Sequence, residues 1–248
     1  DAMAGFSISG SSTKTSGFKT IQIPNENMGL SGMDDGTLYS ADYSVLSSRL
    51  MSVLARVNYS YRNRYLFTAS FRADGSSKFG KGRQWGYFPS AAFAWSIKDE
   101  PWMRTVTQIS NAKIRLSWGR TGNNRINDYS RYSYLENAGW YSFGNGVPGI
   151  AYRMANLGNE DLKWETIKTL DAGIDLAFLQ NRLEASFDWY DRSTSGMLYK
   201  INLPSTSGVS GTMPVNLGSI SNKGLEFAIS WRDRIGDLNY SIGGNISH

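Results

Sequence analysis

The sequence predicts an all-β fold, a transmembrane antiparallel β-barrel, and three observations support this prediction. Many segments alternate apolar and polar residues with a period of two, which places one set of side chains on each face of a strand. Most of these segments are about ten residues long, the length that a tilted strand needs to cross a bilayer. Short turns and long connections alternate along the chain, as they do in outer-membrane barrels.

Alternating segments occupy much of the chain from residue 51 onwards. In the first of them, Val53 and Val57 point to one face, whereas Arg56 and Asn58 point to the other. The clear segments are 51–61, 65–72, 91–97, 112–118, 170–178, 183–189, 225–232 and 238–245, and a weaker one lies around 3–11. Aromatic residues near the segment ends would lie at the level of lipid headgroups: Tyr59, Tyr61, Tyr65, Trp118, Trp189, Tyr190 and Trp231. About nine strands are therefore expected.

The connections between these segments predict two different rims. Arg62-Asn63, Gln180-Asn181 and 234–237 are short turns, which are expected on the periplasmic side. Between two strands, Glu100-Pro101-Trp102-Met103 is expected to form one helical turn. Long extracellular loops are predicted at 12–48, 75–85, 121–163 and 193–222. The loop at 121–163 would be unusual inside a compact soluble domain, but it is natural outside a membrane barrel.

The composition excludes most metal and catalytic chemistry. The chain has no cysteine and its one histidine is His248, so disulfides, thiolate metal sites and histidine catalysis lack their residues. The net charge of +5 is spread along the chain, which argues against a nucleic-acid surface. We therefore expect a protein that is not an enzyme, has no catalytic or metal residues, no cofactor and no nucleic-acid partner. The first five residues lack the features of an export signal, which is expected upstream.

The polar side chains of the alternating segments are candidates for the barrel interior. If the apolar face meets lipid, charged residues on the other face would line the lumen and pair across strands. These candidates are Arg56, Arg72, Lys113, Arg115, Asp171, Asp175, Glu184, Asp188 and Glu226. The alternative is that they form the solvated face of an ordinary sheet. Contact with a plug or a solute is the functional role that we consider for them.

Several motifs resemble the SusC/RagA family of TonB-linked outer-membrane proteins of Bacteroidetes. The resemblance extends over roughly residues 50–248, with the motifs in the family's order. Its motifs are Arg56-Val57-Asn58-Tyr59, Arg72-Ala73-Asp74-Gly75-Ser76-Ser77, Phe88-Pro89-Ser90, Leu116-Ser117-Trp118-Gly119-Arg120-Thr121-Gly122, Asn159-Glu160-Asp161-Leu162-Lys163-Trp164-Glu165, Asp188-Trp189-Tyr190 and Asn222-Lys223-Gly224-Leu225-Glu226. Glu160 stands where proline is common in the family. The resemblance identifies the chain as part of such a barrel.

The resemblance implies a large plugged barrel of the 22-stranded class, of which residues 1–248 would form a part. The chain ends within a strand at His248 and is expected to be a fragment, with the plug and the TonB-contacting region upstream. By resemblance, the whole protein would import oligosaccharides or peptides across the bacterial outer membrane. Its partners would be outer-membrane lipid, a SusD-like surface lipoprotein and the TonB-ExbB-ExbD complex.

The loops hold candidate substrate contacts and leave two other functions open. Trp85, Trp140, Tyr141 and Phe143 are candidate platforms for sugar rings, and loop packing is the alternative role for these aromatic side chains. A passive outer-membrane porin would share the alternation and the loop asymmetry but would lack the family motifs. A soluble all-β carbohydrate-binding module would fold without a lipid-facing surface, which the rows Val53/Ala55/Val57 and Ala185/Phe187/Trp189 argue against.

Overall fold

The structure is a computed structural model of the chain. It describes residues 1–144, 146–209 and 211–248, except for the side chains of Glu26 and Ser205. Positions 145 and 210, which belong to the predicted loops 121–163 and 193–222, lie outside the described residues.

Within these described ranges the chain is mainly β-structure. The strands are β1 (Ala2–Ile21), β2 (Thr37–Tyr61), β3 (Tyr65–Ser76), β4 (Trp85–Ser96), β5 (Ile109–Asn123), β6 (Tyr134–Ser142), β7 (Pro148–Asn156), β8 (Glu165–Phe178), β9 (Leu183–Ser195), β10 (Leu198–Asn202), β11 (Thr212–Asn216), β12 (Ser219–Ile235) and β13 (Leu238–Ser247). Short 3-10 helices occupy Glu26–Asp35, Ile97–Asp99, Pro101–Met103 and Ser205–Ser207. The helical turn predicted at Glu100 to Met103 is thus confirmed. Among the described residues, no helix is long and apolar enough to cross a membrane.

In the described part of the chain, nine strands form one antiparallel sheet in the order β1-β2-β3-β4-β5-β8-β9-β12-β13, which we call the main sheet. Each of the alternating segments predicted from the sequence lies in one of these strands, apart from Ile97, which begins the short helix Ile97–Asp99. The hairpins β6–β7 and β10–β11 form separate small sheets within two of the long connections. The predicted all-β architecture is confirmed, and the main sheet is an open section of barrel wall with β1 and β13 at its edges.

One face of the main sheet is apolar and exposed. Phe67 on β3 remains 48% exposed and Phe227 on β12 remains 40% exposed. The ring centroids of Phe67 and Phe93, which pair across β3 and β4, lie 4.7 Å apart. A water-facing sheet would bury or replace such a continuous apolar surface, whereas lipid covers it in a membrane barrel. We call this surface the apolar face.

Successive connections alternate between the two rims of the main sheet, and three of the four at the second rim are longer than any at the first. Residues 62–64, 97–108, 179–182 and 236–237 connect strands at one rim, and 22–36, 77–84, 124–164 and 196–218 connect them at the other. Arg62 and Asn63 have φ values of 50° and 55°, the left-handed conformation that the two central residues of a type I′ turn require, and the N–H of Arg64 donates to the Tyr61 carbonyl oxygen. We call the rim with the connections 22–36, 77–84, 124–164 and 196–218 the long-loop rim.

Three predicted loops contain more regular structure than expected. Most of 12–48 belongs to β1 and β2, so the connecting segment is reduced to 22–36. The alternation fails there because residues 12–17 of β1 are all polar or glycine, so no apolar row distinguishes one face from the other. The ranges 121–163 and 193–222 contain the β6–β7 and β10–β11 hairpins, and the connection predicted at 75–85 spans 77–84.

Candidate functional site

All of the predicted interior residues lie on one face of the main sheet, opposite the apolar face. Residues directly opposite each other in an antiparallel pair point to the same side, so the register can be followed from strand to strand. Arg56 is opposite Ser70, and Ser70 is opposite Ser90. Farther along the sheet, Asp171 is opposite Ser117 and Glu226 is opposite Asp188. We call this surface the polar face.

An ion cluster joins three strands at the centre of the polar face. Arg115 on β5 donates from Nε and Nη2 to both carboxylate oxygens of Asp175 on β8, at 2.8 and 2.9 Å. Its Nη2 also donates to Oδ1 of Asp188 on β9 at 2.7 Å. Gly173 lies between Arg115 and Asp188 on the central strand. A Cβ atom at this position would overlap the Asp188 carboxylate, so glycine is required for the contact across β8.

The other predicted interior residues divide into paired and free groups. Arg72 donates from Nε to both carboxylate oxygens of Asp74 at 2.8 Å, and Arg232 pairs with Glu184 at 2.9 Å. Over the described residues, the remaining candidates form no side-chain hydrogen bond or ion pair: Arg56, Lys113, Asp171 and Glu226. The Arg115 cluster thus links three strands of the wall, whereas these four side chains are unpaired among the described residues.

A buried apolar cluster covers the polar face at the long-loop rim. Phe79 and Leu162 are fully buried there, and Phe88 and Trp164 are nearly so. The Trp164 ring centroid lies 5.3 Å from that of Phe79 and 5.4 Å from that of Phe88. Gly122 leaves room for the Phe88 ring, which a Cβ atom at position 122 would overlap. We call these four residues the rim cluster.

The sequence analysis did not predict the rim cluster, although one signal was available. Phe88 is opposite Arg72 in the register, so an aromatic ring occupies the face that is otherwise polar. Three of the four residues lie in the family motifs given above, and Phe79 lies two residues after the Asp-Gly-Ser-Ser motif. Two of these motifs therefore have a clear structural role, because they bring loop residues onto the wall.

Polar contacts fasten the long connections to each other around the rim cluster. The indole N–H of Trp164 donates to the carbonyl oxygen of Gln84 at 2.9 Å. Asn216 accepts from the backbone N–H of Lys163 at 2.9 Å and donates to its carbonyl oxygen at 2.8 Å. Glu165 accepts from the backbone N–H of Leu198 at 3.1 Å. The segment 159–166 thus joins the connection 124–164 to 196–218 and holds both above the polar face.

The predicted aromatic platforms do not form one surface. Trp85 is opposite Gly75 and therefore lies on the apolar face, away from the polar face. Trp140 and Tyr141 are neighbours on β6 and point to opposite sides of the hairpin. Tyr141 and Phe143 are brought together, with ring centroids 5.0 Å apart in an edge-on arrangement, and both remain exposed.

At the opposite rim, Glu100 is the centre of a compact turn. Its buried carboxylate accepts from the Tyr65 hydroxyl at 2.6 Å and from the Trp95 indole N–H at 3.1 Å, and it pairs with Arg64 at 3.1 Å. The hydrogen bonds from Tyr65 and then Trp95 hold the pKa of Glu100 below its ordinary value, against the opposing effect of desolvation. This carboxylate therefore fastens the connection 97–108 to β3 and β4.

We expect acid to loosen this turn, because the stabilising charge is lost on protonation. A depressed carboxyl pKa contributes stability above the unfolded value, here 4.5, and that contribution disappears as the pH falls through the lower folded value. The hydrogen-exchange protection of amides 97–108 in the full-length protein, relative to the intrinsic rate at the same pH, should fall over that acid range. Glu100→Gln should already be less protected at neutral pH, and its protection should change little with pH. As a control, Asp237→Asn in another turn, where the side chain is fully exposed, should exchange like the wild type at 97–108.

The described residues contain no group of three or more histidine, aspartate or glutamate side chains that could hold a metal ion. The main sheet thus has one polar, charged face, and the connections at its long-loop rim are folded around the rim cluster. Residues 5–247 match the family described as TonB dependent receptor-like, beta-barrel. The chain belongs to this family. TonB-dependent receptor barrels lie in the bacterial outer membrane, so the apolar face is the surface that meets lipid.

Individual relatives of this TonB-dependent receptor barrel are similar over most of the chain. It is 38% identical over 203 residues to the TonB-dependent receptor SusC of Bacteroides thetaiotaomicron, covering 79% of this chain and 20% of that protein. It is 39% identical over 201 residues to TonB-dependent receptor P3 of Formosa agariphila, covering 81% of this chain and 20% of that one. The chain thus spans about a fifth of the length of these curated relatives. The predicted SusC/RagA resemblance is confirmed.

Solved structures support the same fold. A structure of the RagAB peptide importer in its closed-closed state superposes with a TM-score of 0.85 at 23% identity, covering 99% of this chain and 27% of that one. The siderophore receptor PirA of Acinetobacter baumannii gives a TM-score of 0.54 at 16% identity, covering 97% and 33%. At these identities the likeness concerns the fold, and it places the main sheet as a section of a larger barrel wall.

Proposed function

We propose that the protein containing this chain actively imports oligosaccharides or peptides across the outer membrane, powered through TonB. The observation that carries this proposal is the family match over residues 5–247, together with the identity to SusC. The name of the RagAB peptide importer supports peptides as the second substrate class. We propose a SusD-like surface lipoprotein as partner at the long-loop rim, and TonB-ExbB-ExbD as the energy source acting on a region outside this chain. Family members are receptors and transporters, and we propose transport without catalysis here.

The geometry supports specific roles for the two sides of the wall. In this proposal the polar face lines the lumen and presents Arg56, Lys113, Asp171 and Glu226, which have no partner among the described residues, to the plug or to passing solute. The rim cluster keeps the long connections folded above this face, where a lid protein and a substrate would meet them. On β6–β7, Tyr141 and Phe143 are the aromatic pair that we propose for substrate or lid contact. Trp85 is not part of this surface, because it lies on the apolar face.

Growth of a clean deletion strain tests the proposal. The parent gene would be deleted, and the strain grown on a panel of single glycans and peptides, with cell fractionation of the complemented strain. Loss of growth on one polymer, restored by complementation, is the expected result. The same growth should also fail in a strain whose TonB is inactivated. Growth that needs the gene but not TonB would favour a passive porin, and a protein recovered outside the membrane fraction would contradict import through a barrel.

A further inference from the structure

The backbone pairing between β4 and β5 ends before these strands reach the long-loop rim. These strands pair from Ser96 opposite Lys113 to Ser90 opposite Gly119, where their pairing ends. Both continue beyond this point on their other neighbours, β4 along β3 and β5 along β8. A recess of about 300 Å³ lies where the strands separate. We call it the β4–β5 notch.

The notch opens on the apolar face and has an apolar floor. Trp85 and Tyr87 of β4 lie on one side, and Arg120 of β5 on the other. Phe88 and Trp164 of the rim cluster also line it, and the Phe88 ring lies against both Gly86 of β4 and Gly122 of β5, so these side chains fill the gap between the two strands. The notch is therefore a pocket in the outer surface of the wall and not a passage through it.

Basic side chains line the notch and their charge is largely uncompensated. Arg120 has a buried Nε without a hydrogen-bond partner, and its guanidinium forms no ion pair with the described residues. Lys163 contributes an exposed side chain while its backbone is held by Asn216. Arg83 also lines the notch and pairs with Asp161 at 3.2 Å, but that carboxylate is 84% exposed, so the pair is weak. Because the Arg120 guanidinium lines the recess and has no carboxylate partner among the described residues, it favours an anionic ligand.

The source of this anion is indicated by the position of the notch on the apolar face. We call the row of apolar residues along this face the apolar band. Toward the long-loop rim, the next residue of the apolar face beyond Trp118 on β5 is Arg120. In the same direction, the next one beyond Leu170 on β8 is Lys168. Arg120 and Lys168 are directly opposite each other, so basic residues begin where the apolar band ends. In an outer-membrane barrel this edge lies at the headgroup level of the outer leaflet. Trp85 and Tyr87 have the amphipathic rings that suit this level.

We propose that the β4–β5 notch binds the phosphate group of an outer-leaflet glycolipid, with Arg120 and Lys163 as its donors. Guanidinium and ammonium groups bind phosphate through charge-assisted hydrogen bonds, and the apolar band below offers a surface for the acyl chains. That adjacency favours a lipid phosphate over a free one. The bound headgroup would cover the outer side of the wall where β4 and β5 no longer pair. The proposal requires an outer-membrane location and is independent of the imported substrate.

Lipid binding by the purified full-length protein tests this proposal. Delipidated protein would be titrated with lipid A that carries phosphate and with dephosphorylated lipid A of the same acyl chains, and bound lipid counted by native mass spectrometry. The wild type should bind the phosphorylated form roughly tenfold more tightly or better, as expected for hydrogen bonds to a charged group. The double variant Arg120→Gln/Lys163→Gln should lose this preference and keep its affinity for the dephosphorylated lipid.

The matched control removes the same number of charges elsewhere. Lys81→Gln/Lys200→Gln changes two exposed lysines that do not line the notch, and it should retain the wild-type preference. If Arg120→Gln/Lys163→Gln does not fold, Lys163→Gln alone should still reduce the preference several-fold, because its side chain is exposed. Equal wild-type affinity for both lipids, or an unchanged preference in the folded variant, would overturn the proposal. Competition by inorganic phosphate at the concentration of the lipid would overturn the lipid as ligand.

Discussion

Replacing Trp164 with alanine is expected to unfold the long-loop rim locally while the rest of the wall stays folded. Trp164 is 9% exposed, packs on Phe79 and Phe88, and donates to the Gln84 carbonyl. Removal of a buried tryptophan costs about 3–5 kcal/mol, which corresponds to at least about a hundredfold larger open population. Protease cleavage within 77–84 and 157–164 of the full-length protein should accelerate by that factor, because it requires local opening.

Two further variants separate packing from other effects of this substitution. Trp140→Ala makes the same change at a side chain that is 72% exposed, and it should leave cleavage within a factor of about two, since surface substitutions cost little. Trp164→Phe keeps a ring but removes the donor to Gln84, so it should cost about 1 kcal/mol for the hydrogen bond plus part of the packing. Equal cleavage rates for Trp164→Ala and Trp140→Ala would contradict the role given to the rim cluster.

Substitution of Gly173 by alanine is expected to break the ion cluster on the polar face. The added Cβ would overlap the Asp188 carboxylate and lie 2.8 Å from Nη2 of Arg115. Overpacking of this kind costs about 1–3 kcal/mol, and separation of Arg115 from Asp188 adds to it. The free energy of unfolding of the full-length barrel in detergent micelles, measured with guanidinium chloride, should fall by at least about 2 kcal/mol.

A double-mutant cycle attributes this loss to the named contact. In an Asp188→Ala background the overlapping carboxylate is absent, so Gly173→Ala should then cost less than half as much. Gly244→Ala on β13 is the matched control, because a Cβ atom added there would have no atom within 4 Å. It should change the unfolding free energy by less than about 0.5 kcal/mol. Additive losses from Gly173→Ala and Asp188→Ala would show that the two positions are not coupled.

The strands of the main sheet could be predicted where each face of a strand meets a different solvent. Val53 and Val57 meet lipid while Arg56 meets water, so the period of two appears directly in the sequence. Between residues 12 and 48 the same kind of strand was assigned to a loop. Residues 12–17 are all polar or glycine, so this part of β1 carries no alternation. Alternation therefore indicates that the two faces of a strand meet different environments. A strand whose two faces meet similar environments is not detected by it.

The candidate site was predictable in part for the same reason. The charges on the polar face follow from alternation, but alternation does not say that Arg115 reaches across Gly173 to Asp188. Trp85 was assigned to a platform from its residue type, whereas the register places it on the apolar face. Phe88 and Trp164 are 76 positions apart in the sequence numbering, and no local pattern indicates that their rings are in contact.

The sequence by itself determined the class of fold, the number of wall strands and the family. These features depend on local periodicity, turn residues and motifs, which are all properties of neighbouring residues. The tertiary structure alone decided the rim cluster, the partners of Arg115 and the β4–β5 notch. Each of these features requires contacts between side chains that are far apart in the sequence. Strand register and loop packing decide which of these side chains come into contact.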